Sequence, residues 1–318
     1  VRDTLAGRVE GGALVLDAIA VDLAALRDLR SVSVVACGTA YHAGLVGKYA
    51  IEPRTRVPVE IDIASEFRYR DPVLGPDTLT IAVSQSGETI DTLEAARHAR
   101  EQGSRVLAVT NTVGSSLARE ADAVLYTHAG PEVSVASTKT FATQMVALHL
   151  VSLYLAQARG SMEPSVVRAA LDDLAALPVA VERAIALEPA VRAVAASLRD
   201  ARGVLFLGRH VGYPSALEGA LKLKEVSYLH AEGYPAGELK HGPIALVEPG
   251  LPVVVVATSS PVLGKVVSNV QEVRARGARV IAVVTEGEGR LDDLADDLLE
   301  VPAVPDLLAP RARTSWTL

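Results

Sequence analysis

Arg105-Val-Leu-Ala-Val109 returns 174 positions later as Arg279-Val-Ile-Ala-Val283. Both are short apolar runs, largely β-branched, of the kind that pack as buried strands. Three further echoes accompany them. Val34-Val-Ala-Cys-Gly38 matches Val204-Leu-Phe-Leu-Gly208 at an offset of 170, the strand ending at Ser84 matches Val253 to Ala257 at 173, and Ala121-Asp122 matches Ala295-Asp296 at 174. A nearly constant offset over four elements predicts two homologous α/β lobes.

Within the first lobe, strands are predicted at Val32 to Ala36, Leu79 to Val83, Arg105 to Val109 and Ala123 to Tyr126. A helix from about Thr89 to Gln102, closed by Gly103, separates the second from the third. Strands alternating with helical stretches predict a doubly wound, flavodoxin-like parallel sheet in each lobe. The segment from Glu163 to Asp200 has helical apolar spacing broken at Pro178 and Pro189, and reads as a helical connector. The expected organisation is a lead-in over 1–28, a first lobe over 29–160, a connector over 161–200, a second lobe over 201–310 and an atypical C-terminus over 311–318. The first lobe continues into a long apolar helix, about Thr138 to Gln157, whose counterpart would fall at roughly 312 to 331, past Leu318. A parallel sheet needs both faces covered. The second lobe is therefore expected to lack its last helix.

The 318 residues suffice for two domains of ordinary size. Apolar residues at 49% and charged residues at 22% exclude global disorder. The most apolar long window, Phe141 to Leu155, is interrupted by Gln144 and His149 and is too short for a bilayer. A net charge of -7 without a long Lys/Arg run argues against a nucleic-acid partner. The single cysteine, Cys37, rules out an intramolecular disulfide and fits a reducing compartment. No signal-type apolar core follows the charged N-terminus. A cytoplasmic protein without a membrane partner is expected, and the initial Val suggests a fragment.

Ser84-Gln85-Ser86-Gly87-Glu88-Thr89 follows a strand and opens a helix. Free backbone N–H groups point outward there, and three hydroxyls join them, which makes an anion site without a lysine. An ordinary N-cap is the alternative, though it needs only one hydroxyl. Cys37-Gly38-Thr39-Ala40 occupies the equivalent turn after the first strand, where Gly38 permits close backbone approach. At the end of an apolar strand Cys37 reads as a buried, inert thiol. Ligands bind outside the carboxyl ends of such strands, so both turns can line one pocket.

Ser215 to Tyr228 reads as a helix with Pro214 in its first turn. Glu218, Lys222 and Glu225 share one face at i, i+4 and i+7, either as a reactive group or as a solvated ion-pair face. The following loop, from Glu232 to Pro243, carries His241.

CGTAYHAG at 37–44, ASEFRYR at 64–70, SQSGETIDTL at 84–93, VASTKTF at 135–141 and ALEGALKLKEVSYLHAEGYPAGELKHGP at 216–243 resemble the isomerase half of the glutamine–fructose-6-phosphate aminotransferases (isomerising), or glucosamine-6-phosphate synthases. The likeness runs from about Asp3 to Pro310. It implies two sugar-isomerase (SIS) lobes, a fructose 6-phosphate site, a homodimer, and neither cofactor nor metal. Ser84, Gln85, Ser86 and Thr89 match the family's phosphate loop, and Thr39, Val135 and Ser137 match sugar-contacting positions. Glu225 matches the base that moves a proton between C1 and C2. Lys222, counted with the catalytic groups, and Glu218 match its neighbours. His241 matches the residue that assists ring opening from the other subunit. Three departures accompany the likeness. Ala40 stands where many members have a second hydroxyl. The glutaminase half with its cysteine nucleophile has no counterpart. Nothing in Arg311 to Leu318 matches the family's tail lysine. These departures imply either an amidating isomerase module or an impaired sugar-phosphate-binding one, with poor folding of an uncovered second lobe as a further expectation.

Overall fold

The computed structural model describes residues 1–10, 13–16, 26–134 and 136–308. The chain forms two compact units, Val1–Ala175 and Ala176–Leu318. Unit one is built on β1 (Ser31–Ala36), α1 (Gly38–Thr55), β2 (Val59–Ile63), β3 (Thr78–Ser84), α2 (Ile90–Glu101), β4 (Arg105–Thr110), β5 (Ala123–Tyr126) and α3 (Lys139–Arg159). Its five strands are all parallel in the order β2-β1-β3-β4-β5. β3 is buried along its whole length, as a strand covered on both faces must be. The four predicted strands hold to within one residue at each end.

Two helical layers close the sheet. On one face α2 buries Leu93, Ala95, Ala96 and Ala99 against Val35, Ala82, Val106 and Ala108. Small helix residues let this backbone approach the strands closely. On the other face α1 packs on α3. A Cβ at Gly47 would lie 3.1 Å from Leu148 Cδ1, so glycine sets that spacing. At 21 residues α3 is longer than the apolar window suggested, and its length and composition would suffice to cross a bilayer. In the fold it is a core helix, mostly buried. Its Gln157 side chain donates to Leu14 O and accepts from Leu14 N–H, both at 3.1 Å, which ties the N-terminal residues to its last turn.

The helix α4 (Pro164–Ile185) contains the division between the units. It corrects one expectation, because it runs through Pro178 without ending. Burial of Val167, Leu171, Leu174 and Leu177 along one stripe outweighs the missing N–H. The break comes after Ile185, and Pro189 sits in the first turn of α5 (Glu188–Ser197), where an N–H would be unpaired anyway.

Unit two repeats the plan with β6 (Val204–Gly208), α6 (Gly212–Ser227), β7 (Ala231–Pro235), β8 (Pro252–Ala257), α7 (Leu263–Arg274), β9 (Arg279–Thr285) and β10 (Asp297–Val301), ordered β7-β6-β8-β9-β10. The segment read as a loop from Glu232 thus begins as a strand. β7 is an edge strand, so Pro235 and Gly233 are tolerated there. Gly233 is needed: a Cβ would lie 2.9 Å from Leu217 Cα on α6. β2, likewise at an edge and carrying Glu60 and Asp62, was also unread.

One face of this sheet packs on α7. The other presents Phe206, Val254, Ile281 and Leu299 to α6 and α5, around an apolar cavity of about 160 Å3. In unit one α3 lies on that face. Among the described residues only a short turn, Asp306–Leu308, follows β10, so no counterpart of α3 is found. The face is not bare, because Val191, Val194 and Leu198 cover part of it. The atypical segment 311–318 lies outside the described residues.

At Gly208 a Cβ would stand 2.1 Å from Gly212 O and 2.8 Å from Tyr213 N, both backbone atoms that cannot yield. Gly208→Ala is expected to cost about 1–3 kcal/mol in urea unfolding. Gly264→Ala, in α7 with open space around it, is expected to be neutral or stabilising by up to about 1 kcal/mol. Equal effects of the two would refute this account of β6–α6 packing.

Candidate functional site

The ladder brings strand ends to one level. Ala36 pairs with Val83, Ser84 with Thr110, and Thr110 with Tyr126. The chain turns directly beyond that level, at Cys37-Gly38 after β1 and at Gln85 to Thr89 after β3. Gly87 has φ +67, and a Cβ there would lie 2.1 Å from Ser115 Oγ and 2.9 Å from Thr110 Oγ1. Only glycine fits this turn. Asn111 N–H and Leu117 N–H donate to Gln85 O and Gly87 O, each at 3.0 Å, so the β4 side of the sheet holds the loop from beneath.

Within the loop, Gly87 N–H donates to Ser84 Oγ at 3.0 Å and Glu88 N–H to Ser86 Oγ at 3.1 Å. Ser84 and Thr89 hydroxyls share a bond of 3.1 Å. Thr89 occupies the N-cap of α2, yet its hydroxyl makes no capping bond. The alternative of a capping hydroxyl thus fails for Thr89, while Ser84 and Ser86 do serve as turn residues for their own loop. The first-turn N–H groups of α2 remain without a side-chain cap, and the helix dipole adds a favourable field for an anion there.

Cys37, Thr39, Ser84, Gln85, Ser86, Thr89 and Ser137 line one cavity of about 190 Å3, together with Ala40, Val83, Thr92 and Gln144. Six of the seven unit-one positions matched by resemblance are thus brought together. The seventh, Val135, lies outside the described residues. Gly38 has φ +53, which turns α1 away and leaves the turn open. Cys37 is only half-buried and lines the cavity, which corrects its reading as an enclosed thiol. The strand ends one residue earlier, and the Cys37 side chain also packs against the core cluster under α2.

Ser137 sits at φ +45, and its hydroxyl bonds Thr140 Oγ1 at 2.6 Å. Glu132, which sequence reasoning missed, holds this segment. Its carboxylate accepts from Thr138 N–H at 3.0 Å, Thr140 N–H at 3.3 Å and Thr140 Oγ1 at 3.0 Å. Burial pushes its pKa up, but these donors outweigh that and hold it below the ordinary carboxylate value.

In unit two, α6 carries Glu218, Lys222 and Glu225. Lys222 Nζ lies 3.6 Å from Glu218 Oε1 and is hydrogen-bonded to Glu225. Lys222 and Glu218 are 4% and 1% exposed, so the solvated-face alternative fails for both. Glu225 keeps 35% of its side chain exposed. The outcome is one buried ammonium between two carboxylates, of which one is open to solvent. Helical spacing could indicate the shared face but not the burial, which depends on what α6 packs against. His241 ends a short turn, Ala236–His241, and its exposed ring makes no hydrogen bond or ion pair among the described residues. The described residues contain no cluster of three or more His, Cys, Asp or Glu arranged to hold a metal.

A family model described as the SIS domain matches residues 25–154 and 197–313. The glutamine–fructose-6-phosphate aminotransferase (isomerizing) of Streptomyces coelicolor is 58% identical over 319 residues, covering 99% of this chain and 52% of the relative. The protein of the same name from Mycobacterium tuberculosis is 56% identical over 318 residues, covering 99% and 51%. The solved C-terminal domain of glucosamine-fructose-6-phosphate aminotransferase from Francisella tularensis superposes with a TM-score of 0.94 at 39% identity, covering 99% of this chain and 88% of that one. The chain spans about half the length of the curated relatives it matches.

A carboxylate whose folded pKa is depressed stabilises the fold above its unfolded value. That contribution is lost as pH falls through the folded value. Glu132→Gln is expected to lower thermal stability near neutral pH, with the gap to the unaltered protein closing below about pH 4.5, the ordinary carboxylate value. Thermal unfolding from pH 7 to pH 3 checks this, and a pH-independent gap would refute it.

Proposed function

The chain belongs to the SIS domain family, as a double-SIS isomerase domain of the glutamine–fructose-6-phosphate aminotransferase type, and on that footing we propose that it binds fructose 6-phosphate and converts it with ammonia to glucosamine 6-phosphate. Ser84, Gln85, Ser86 and Thr89 hold the phosphate by hydroxyls and helix N–H groups. Thr39, Val135 and Ser137 meet the sugar. His241 passes a proton during ring opening, which frees the C2 carbonyl. Ammonia adds to C2 and water leaves, giving an imine. Glu225 takes a proton from C1 and returns one to C2, leaving an amine at C2 and an aldehyde at C1. The sum is fructose 6-phosphate plus ammonia to glucosamine 6-phosphate plus water, with no external oxidant. Without ammonia, the same proton shift yields an aldose phosphate.

The observation that carries this reading is Lys222, buried and clamped between Glu218 and Glu225 while Glu225 stays open to solvent. A general base has to be accessible to its proton and fixed in direction, and the lysine fixes it. Glu218 neutralises the other side of the ammonium, so the charge is not buried unpaired. The reading includes a homodimer, in which the exposed His241 serves the second copy. It also assigns the cytoplasm, where a single free thiol stays reduced.

A second reading is a sugar-phosphate-binding module without turnover. It is favoured by the phosphate cradle's composition, since every lining residue lies between Cys37 and Gln144, within unit one.

Incubation with fructose 6-phosphate, with and without ammonium, separates the two. Glucosamine 6-phosphate or glucose 6-phosphate is expected, falling about 10²- to 10⁴-fold in Glu225→Gln. No product above that variant would overturn the enzyme reading. Both readings expect thermal stabilisation by fructose 6-phosphate, about 2.7 kcal/mol at 100 times Kd. Ser84→Ala/Ser86→Ala is expected to abolish it, and equal stabilisation of that variant would overturn the assigned phosphate loop.

A further inference from the structure

Thr92 and Gln144 are each 1% exposed. Thr92 Oγ1 and Gln144 Oε1 have no hydrogen-bond partner, and both residues line the phosphate cavity. The other unpartnered buried side-chain atoms among the described residues belong to residues that do not line it. Orphaned polar groups of this kind are costly to a fold and uncommon in native structures. Two of them meeting in one small cavity need a common reason.

Their positions in the fold suggest one. Thr92 lies three residues beyond Thr89 on α2, on the same face. Gln144 lies four residues beyond Thr140 on α3, below the Ser137–Thr140 hydroxyl pair. Thr89 and Ser137 thus form an outer tier of the cavity, and Thr92 and Gln144 sit one helical turn further along. A core position would be filled more cheaply by Val for Thr92 and by Met for Gln144, which match them in size and carry no orphaned atom.

We propose that Thr92 and Gln144 are ligand-binding residues, an inner tier that hydrogen-bonds the sugar phosphate held by the Ser84 loop. The Thr92 hydroxyl donates to a phosphoryl oxygen, and the Gln144 amide bonds the ligand beside it. The inference rests on the sugar-phosphate reading of this pocket and extends it by two residues. It also explains why an apolar core helix is interrupted by glutamine at 144.

Calorimetric titration of fructose 6-phosphate into the unaltered protein, Thr92→Val, Thr92→Ser, Gln144→Met and Ser84→Ala/Ser86→Ala, with thermal unfolding of each without ligand, tests it. Thr92→Val is expected to bind about 10-fold or more weakly and Gln144→Met about 3- to 10-fold more weakly, the range for hydrogen bonds to charged and neutral groups. Thr92→Ser keeps the hydroxyl and is expected to bind within about 2-fold of the unaltered protein. Without ligand, the Val and Met variants are expected to melt at the same temperature or higher, because an orphaned polar atom has been removed. Unchanged affinity in both, with binding lost in Ser84→Ala/Ser86→Ala, would overturn the inner tier and leave the phosphate loop standing. Equal weakening by Thr92→Ser and Thr92→Val, with lowered melting temperatures, would also overturn it in favour of packing. No binding by the unaltered protein would overturn the inference together with the reading beneath it.

Discussion

The parallel ladder sets the level at which the chain may stop being regular. β1, β3, β4 and β5 share a register that finishes their hydrogen bonding at Ala36, Ser84, Thr110 and Tyr126. Below that level the backbone groups of the central strands are committed to their neighbours, and most side chains are apolar, with Ser33, Thr78 and Thr80 buried among them. Above it the backbone must find other partners, and polar residues gather for that reason. The Ser84–Thr89 loop, the Cys37 turn and the Asn111 contacts are all local solutions to the same requirement. They are also why the polar residues converge. Parallel strands must all be re-entered from the far edge, so their carboxyl ends collect the turns.

The central strands were readable because burial on both faces leaves an unbroken apolar run. The edge strands were not. β2 alternates Val, Glu, Ile, Asp and Ile, and β7 reads Ala-Glu-Gly-Tyr-Pro, so neither carries that mark. Their pairing comes from a neighbour already in place, which is tertiary information. Pro178 misled for the converse reason. A local rule predicted a break, and a buried leucine stripe overrode it. The internal repeat remained the strongest signal, since it compares the chain with itself and needs no propensity scale.

The site divides along the same line. Ser84, Ser86 and Thr89 were visible because the density of hydroxyls exceeds what capping requires. Thr92 and Gln144 were not, because a threonine in an amphipathic helix and a glutamine in an apolar one have many ordinary explanations. Glu132 was missed because its role is to satisfy N–H groups of a loop whose path cannot be read from residue types. The Lys222 cluster was half visible: spacing showed the shared face of α6, but burial decided that it is no surface ion pair. In each case what stayed hidden was a partner across the fold, and residue spacing along one element carries no record of it.

The Ser84 and Ser86 oxygens each accept a bond from the loop's own backbone. With a lone pair engaged, each hydroxyl is polarised and its hydrogen is biased away from the N–H that it accepts. The cavity also has no lysine or arginine among its lining residues. Attraction between such a cradle and an anion is short-ranged and dipolar, so it should depend little on ionic strength. A net charge of -7 further disfavours polyanions at a distance. On the proposed sugar-phosphate reading, selectivity would be geometric, because a cavity of about 190 Å3 limits the size of the anion and no charged side chain lines it.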